Sequence, residues 1–116
     1  MTDVRAKSVK FADLPLKEAF ERLKNGRHEE KELYSQIDGA IKELEKSEKA
    51  GIRIPRQNWP RIYVQKYGIN NLWKYDLPHG WRLIYTARGT SVEVVSIILE
   101  WLGHSAYERR FGYHER

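Results

Sequence analysis

NLWKYDLPHGWRLIYTARGTSVEVVSIILEWL, residues 71–102, is three apolar runs separated by two short polar breaks. The runs are rich in aromatic and β-branched residues, and the breaks PHG and RGT are too short for anything but hairpin turns. This pattern predicts three antiparallel strands at about 71–78, 80–88 and 92–101. Within GWRLIYT, side chains alternate across the sheet: Trp81, Leu83 and Tyr85 share one face, while Arg82, Ile84 and Thr86 share the other. The third run, VEVVSIILEW, is apolar on both faces, which places it inside a sheet covered on both sides.

Upstream, VRAKSVKF (4–11) predicts a first strand, with Val4 and Ala6, then Val9 and Phe11, turned inward across one slip of register. Asp13 is placed to cap a helix and Pro15 fits its first turn. Leu16, Ala19, Phe20 and Leu23 recur at helical spacing, and Gly26 ends the run. A second helix is expected from about His28 to Ala50, with an apolar stripe of Leu33, Ile37, Ala40, Ile41 and Leu44, closed by Gly51. The two helices form a hairpin that covers one face of the sheet. Pro55 and Pro60 predict an irregular crossover that becomes a strand near Ile62 to Val64. The sum is a single α+β domain spanning residues 1–116, a curved antiparallel sheet of about four strands with an N-terminal helical hairpin on one face and a short C-terminal helix.

With no cysteine among its 116 residues, the chain has no disulfide framework and no thiol nucleophile or ligand. No apolar run is long enough to span a bilayer, and MTDVRAKSVK lacks the apolar stretch of a signal peptide, so the expected location is the cytoplasm. Charge is unevenly distributed. Residues 1–51 carry 11 Lys or Arg and 11 Asp or Glu, while residues 52–116 carry 10 and 5, so the whole net charge of +5 lies in the second part. Three of the four His and all four Trp lie there too. Basic surface with interleaved aromatics suits a polyanion such as nucleic acid, or an acidic partner protein.

Certain charged side chains stand where a core alone gives no reason for them. Arg82 is mid-strand among apolar neighbours; it requires an ion pair, with Glu100 or Asp76, or an anion that comes to it. Lys74 points to the opposite face from Trp73 and Tyr75, so Lys74 and Arg82 can project two cations from one sheet surface toward a phosphodiester. The chain ends WLGHSAYERRFGYHER (101–116). If HSAYERRF is helical, His104, Tyr107 and Arg109 or Arg110 fall near one side, with Phe111 packed back on the core. A His exchanges protons near neutral pH, a Tyr offers a hydroxyl and a stacking face, and an Arg grips phosphate oxygens. These are the components of metal-free RNA cleavage; no paired-carboxylate cluster is present to suggest a two-metal nuclease. On spacing alone the ordinary reading of the tail is an amphipathic cap with a hydrogen-bonded His. Arg61 and Lys66 in the crossover, with Arg109, Arg110 and Tyr113, complete the candidate RNA- or phosphate-contacting set.

LWKYDLPHGWRLIY, followed by VEVVSIILEWLGH and then a Tyr, resembles the RelE/ParE superfamily of small toxins, in its RelE-like branch. The closing pattern His104, Tyr107, Phe111, Gly112, Tyr113 is part of that resemblance, which is specific over about residues 70–113 and topological before residue 50. It implies the toxin of a type II toxin–antitoxin pair: an endoribonuclease that cuts mRNA on the ribosome without metal or other cofactor and leaves a 2′,3′-cyclic phosphate. By the same resemblance Arg82 matches the family's strand arginine, Lys74 its preceding-strand lysine, and Tyr107 or Tyr113 its C-terminal tyrosine, with His104 beside it. A second family lysine is replaced by Leu72, and Asp76 is a poor match for the glutamate of the YoeB branch. The implied partners are a cognate antitoxin, in a hetero-oligomer, and the ribosome with its mRNA; no membrane partner is implied. Two other readings remain: a ParE-like toxin that binds DNA gyrase, and a RelE-fold module that binds RNA or a partner without activity.

Overall fold

The computed structural model describes residues 3–112. Tyr113 lies outside the described residues. Among the described residues five strands, β1 (Ala6–Phe11), β2 (Ile52–Arg53), β3 (Trp73–Asp76), β4 (Arg82–Gly89) and β5 (Glu93–Leu102), form one mixed sheet in the order β1-β5-β4-β3-β2. The hairpin strands are where periodicity places them: β3 at Trp73–Asp76, β4 at Arg82–Gly89 and β5 at Glu93–Leu102. Thr90 closes the β4–β5 turn, its hydroxyl oxygen accepting from the Val92 and Glu93 N–H groups at 3.2 Å.

β1 (Ala6–Phe11) pairs parallel with β5, from Ala6 opposite Glu93 to Phe11 opposite Ile98. The sheet is therefore mixed and five-stranded, not an antiparallel sheet of about four. The expected slip in β1 is absent. Lys7, Val9 and Phe11 turn inward in strict alternation, and Val4 is 88% exposed. An inward lysine is tolerated because two acids meet it: Lys7 Nζ donates to Asp3 Oδ2 at 2.6 Å and lies 3.3 Å from Glu48 Oε1, and Arg5 donates to Glu48 Oε2 at 3.2 Å. Burial works against the ionised Glu48 carboxyl, but a bond from its own backbone N–H and the Lys7 and Arg5 charges outweigh it and hold the pKa below the usual glutamate range.

The helical hairpin covers one sheet face as expected. α1 (Leu14–Leu23) is capped by Asp13, whose carboxylate accepts from the Leu16 N–H at 2.9 Å. α2 spans His28–Lys46 and buries Leu33, Ile37, Ala40 and Leu44 with Phe20 of α1 against Trp73, Leu83, Tyr85 and Ile98. Each Leu, Ile or Phe side chain among them contributes about 1.5–3 kcal/mol when fully buried. α2 stops four residues before the expected Ala50, because Ser47 adopts extended backbone and turns Glu48 toward β1. Gly51 is not a helix cap. A Cβ there would stand 2.4 Å from the Lys74 carbonyl oxygen and 2.6 Å from the Tyr85 hydroxyl. Tyr85 latches this segment: its hydroxyl donates to the Glu48 carbonyl at 2.9 Å and accepts from the Gly51 N–H at 2.9 Å, and burial pushes its pKa up to about 12.

The opposite face has its own cover. After the edge strand β2 (Ile52–Arg53), the chain forms α3 at Arg61–Tyr67, where a strand at 62–64 is the expectation from sequence. The physical reason is Pro60, which occupies the N-cap position, where a missing N–H costs no helical hydrogen bond. Gly68, at φ 60°, closes α3 in the left-handed region. α4 (His104–Phe111) is the expected C-terminal helix. α3 and α4 bury Tyr63, Tyr107 and Phe111 against Leu72, Ile84, Leu99 and Leu102. Among the described residues, no helix is long and apolar enough to cross a membrane.

Candidate functional site

β3 and β4 align Asp76 opposite Arg82 and Lys74 opposite Ile84, so Lys74 and Arg82 are diagonal neighbours on the face covered by α4. Asp76 bridges them. Lys74 Nζ donates to its two carboxylate oxygens at 2.9 and 3.1 Å, and Arg82 Nε lies 3.4 Å from Oδ1. Of the two acids that could have paired with Arg82, the partner is Asp76, whose side chain is half exposed. The arginine is thus held by a surface carboxylate that a competing anion can reach.

α4 brings the tail residues to the same place. The Tyr107 ring centroid is 4.9 Å from Arg82 Cζ and 5.9 Å from Lys74 Nζ, so both cations stand against one aromatic ring. Phe111 supports the ring from within α4, stacked at 4.5 Å between centroids. Tyr107 is only 4% exposed, so its ring forms a wall against which the two cations stand.

The β3–β4 connection shapes the other side. His79 and Gly80 both have positive φ, 63° and 81°. This pair of left-handed residues aims the Gly80 carbonyl back at Arg82 Nη1, which donates to it. A Cβ on Gly80 would lie 3.2 Å from His104 Cβ and 3.8 Å from Arg82 Nη1. His104 and Arg82 therefore flank the same point, and only glycine leaves that point empty. His104 is 60% exposed, with Nε2 3.3 Å from Glu108 Oε2 one helical turn on.

Of the residues singled out from sequence, Lys74, Arg82, His104 and Tyr107 thus come together. The remaining cations are elsewhere. Arg110 Nε is 3.2 Å from Glu100 Oε2, and the Tyr63 hydroxyl donates to the same carboxylate. Burial first, and the Glu100 hydrogen bond second, push the Tyr63 pKa far up, so this phenol stays protonated. Lys66 is exposed, with Nζ 5.3 Å from the Tyr67 ring, and lines a separate groove of about 370 Å³ with Tyr63, Glu100 and Arg110. Arg61 is exposed at the first residue of α3, and Arg109 is exposed on α4 beside Ala106.

Sequence reasoning missed Gly80 as a backbone acceptor and Tyr63 as a partner of Glu100. It also missed the bulge that aims Glu100. Ile84 pairs with Glu100 and Tyr85 with Ile98, which leaves Leu99 without a partner. The extra residue turns Leu99 and Glu100 to the same side, where Glu100 meets Tyr63. The PHG turn was a signal for the first; nothing local signals the other two. Among the described residues, no three His, Cys, Asp or Glu side chains gather as a metal site.

No protein-family model, no curated protein and no solved structure matches this chain.

Proposed function

We propose that this chain is a RelE-like toxin of a type II toxin–antitoxin pair, which inhibits translation by cutting ribosome-bound mRNA. The observation that supports this reading most is the pairing of Lys74 and Arg82 against the Tyr107 ring, with His104 beside them across Gly80. In the reaction the 2′-hydroxyl attacks its own 3′-phosphorus, the P–O5′ bond breaks, and a 2′,3′-cyclic phosphate and a 5′-hydroxyl result. Lys74 and Arg82 hold the phosphoryl oxygens as negative charge builds on them. His104, exposed and beside Arg82 across Gly80, takes the 2′-hydroxyl proton and returns it to the departing 5′-oxygen. Tyr107 positions Arg82 and presents the aromatic edge of the site. The phosphate takes the place of Asp76 on the two cations. An acidic antitoxin would neutralise the same basic surface.

The test is expression in growing cells with the 5′ ends of mRNA mapped after induction. Translation arrest with new 5′-hydroxyl ends inside coding sequence, both lost in Arg82→Ala, is expected. Normal growth with intact mRNA overturns the reading. Asp76 between the cations favours one alternative, a module that binds RNA or a partner without cutting it. RNA recovered whole with the protein, and no new ends, would establish that instead.

A further inference from the structure

Positive charge does not stop at the candidate site. Residues 49–92 hold eight Lys or Arg (Lys49, Arg53, Arg56, Arg61, Lys66, Lys74, Arg82, Arg88) and one acid, Asp76, a local balance of +7 against +5 for the whole chain. From 49 to 75 there is no acid at all. Asp76 is committed to Lys74 and Arg82. Among the described residues, none of Lys49, Arg53 or Arg56 forms a salt bridge, and all three are exposed. Exposed cations left without counter-charge repel one another, at a cost that a bound polyanion removes.

Their placement is ordered. Arg53 Cζ sits 5.7 Å from the Trp73 ring and Arg56 Cζ 4.7 Å from the Trp59 ring. A guanidinium held against an aromatic ring keeps its N–H edge for a phosphate. β2, which carries Arg53, is one of the two edge strands of the sheet, and its Ile52 is the direct cross-strand partner of Lys74. Ile52 shares the Lys74 face, whereas Arg53 opposes Trp73 and points to the other face, so the unpaired cations adjoin the candidate phosphate site around the β2 edge of the sheet. Lys49 and Arg53 also share a surface hollow of about 360 Å³ with Asn70, Asn71 and Trp73. Its one acid, Glu48, is buried and engaged by Lys7 and Arg5.

We infer that the β2 edge is a second nucleic-acid surface, on which Lys49, Arg53 and Arg56 carry the phosphate backbone of RNA beyond the Lys74–Arg82 site. That the polyanion is RNA rests on the function proposed above; the alternative occupant is an acidic protein, which would also bury the exposed Ile52 of β2.

The experiment measures binding of the full chain to a labelled single-stranded RNA with 2′-O-methyl sugars, which cannot be cut, across a salt series. Each phosphate contact contributes about 0.7 to the slope of log affinity against log salt, so Lys49→Ala/Arg53→Ala/Arg56→Ala lowers that slope by about 2. Arg53→Lys/Arg56→Lys keeps it, because the charges remain. Arg82→Ala lowers it by about one contact only, leaving the β2-edge contribution in place. A folded triple variant with an unchanged slope overturns the inference. So does a triple variant that loses binding to polyglutamate while holding RNA, which would mark the edge as a protein-docking surface. If the triple variant behaves as expected but wild type cuts no mRNA, the surface stands and the cleavage reading falls.

Discussion

Replacing Arg82 with alanine separates folding from chemistry. The side chain is 20% exposed and makes three contacts: a hydrogen bond to the Gly80 carbonyl, an ion pair with Asp76 at 3.4 Å, and the Tyr107 ring at 4.9 Å. The hydrogen bond contributes about 1 kcal/mol net. The cation–ring contact adds about 0.5–1 kcal/mol, and the ion pair less than about 1 because Asp76 is half in water. Truncation therefore costs about 2 kcal/mol. For a domain of 116 residues this lowers Tm by about 8 °C, at roughly 4 °C per kcal/mol, and leaves a folded protein at 25 °C. The loss of a donor aimed at developing phosphoryl charge is far larger in rate, about 10²–10³-fold. Arg82→Lys keeps the charge but loses the two-pronged grip, so its rate lies between. Circular dichroism melting and primer extension on a translated mRNA give the two numbers. A folded Arg82→Ala protein that cuts within about twofold of wild type refutes the phosphate role of this residue.

Asp76→Asn releases both cations, so RNA binding at low salt tightens, by about fivefold for one unit charge removed at about 4 Å in water, and the gain fades as salt is added; weaker binding in a salt series would show that Asp76 orients the site instead of competing for it. Glu48→Gln removes the carboxylate that Lys7 and Arg5 share and lowers the midpoint of denaturant melts, by less than the loss of a dry pair because both cations keep Asp3. The Glu48 pKa is depressed in the folded chain, so its contribution is complete above the ordinary glutamate pKa and is lost as pH falls through the lower folded value; Glu48→Gln therefore flattens the acid limb of stability against pH. Tyr63 and Tyr85 have raised folded pKa values, so their phenols ionise after those of the unfolded chain, and stability falls as pH rises past about 10. Ultraviolet titration of Tyr63→Phe should lose one late-ionising phenol, with about 1 kcal/mol of stability and no change in cleavage.

The hairpin strands, the two long helices and the facing of Arg82 against Tyr85 were legible because each is written in local periodicity, read over a few residues. The Lys74–Arg82 diagonal was legible for the same reason: a short hairpin connection fixes which residues oppose. The tail reading succeeded as far as helical spacing goes. It could not place Arg110, whose partner Glu100 is aimed by a bulge in another strand. Pro60 misled because proline forbids a helix interior yet suits a helix start, and which of the two applies depends on the residues after it.

Composition and spacing alone settled an α+β chain with its charge gathered in one half, three strands joined by tight turns, and an arginine standing among apolar neighbours. Folding decided the rest. The parallel pairing of β1 with β5 joins segments more than 80 residues apart, and no local pattern encodes such a choice. The same holds for the site: Asp76 rather than Glu100 beside Arg82, and His104 across an empty Gly80, follow from how two sheet faces are covered. Side-chain chemistry is carried by residue type, whereas the distance between two side chains belongs to packing.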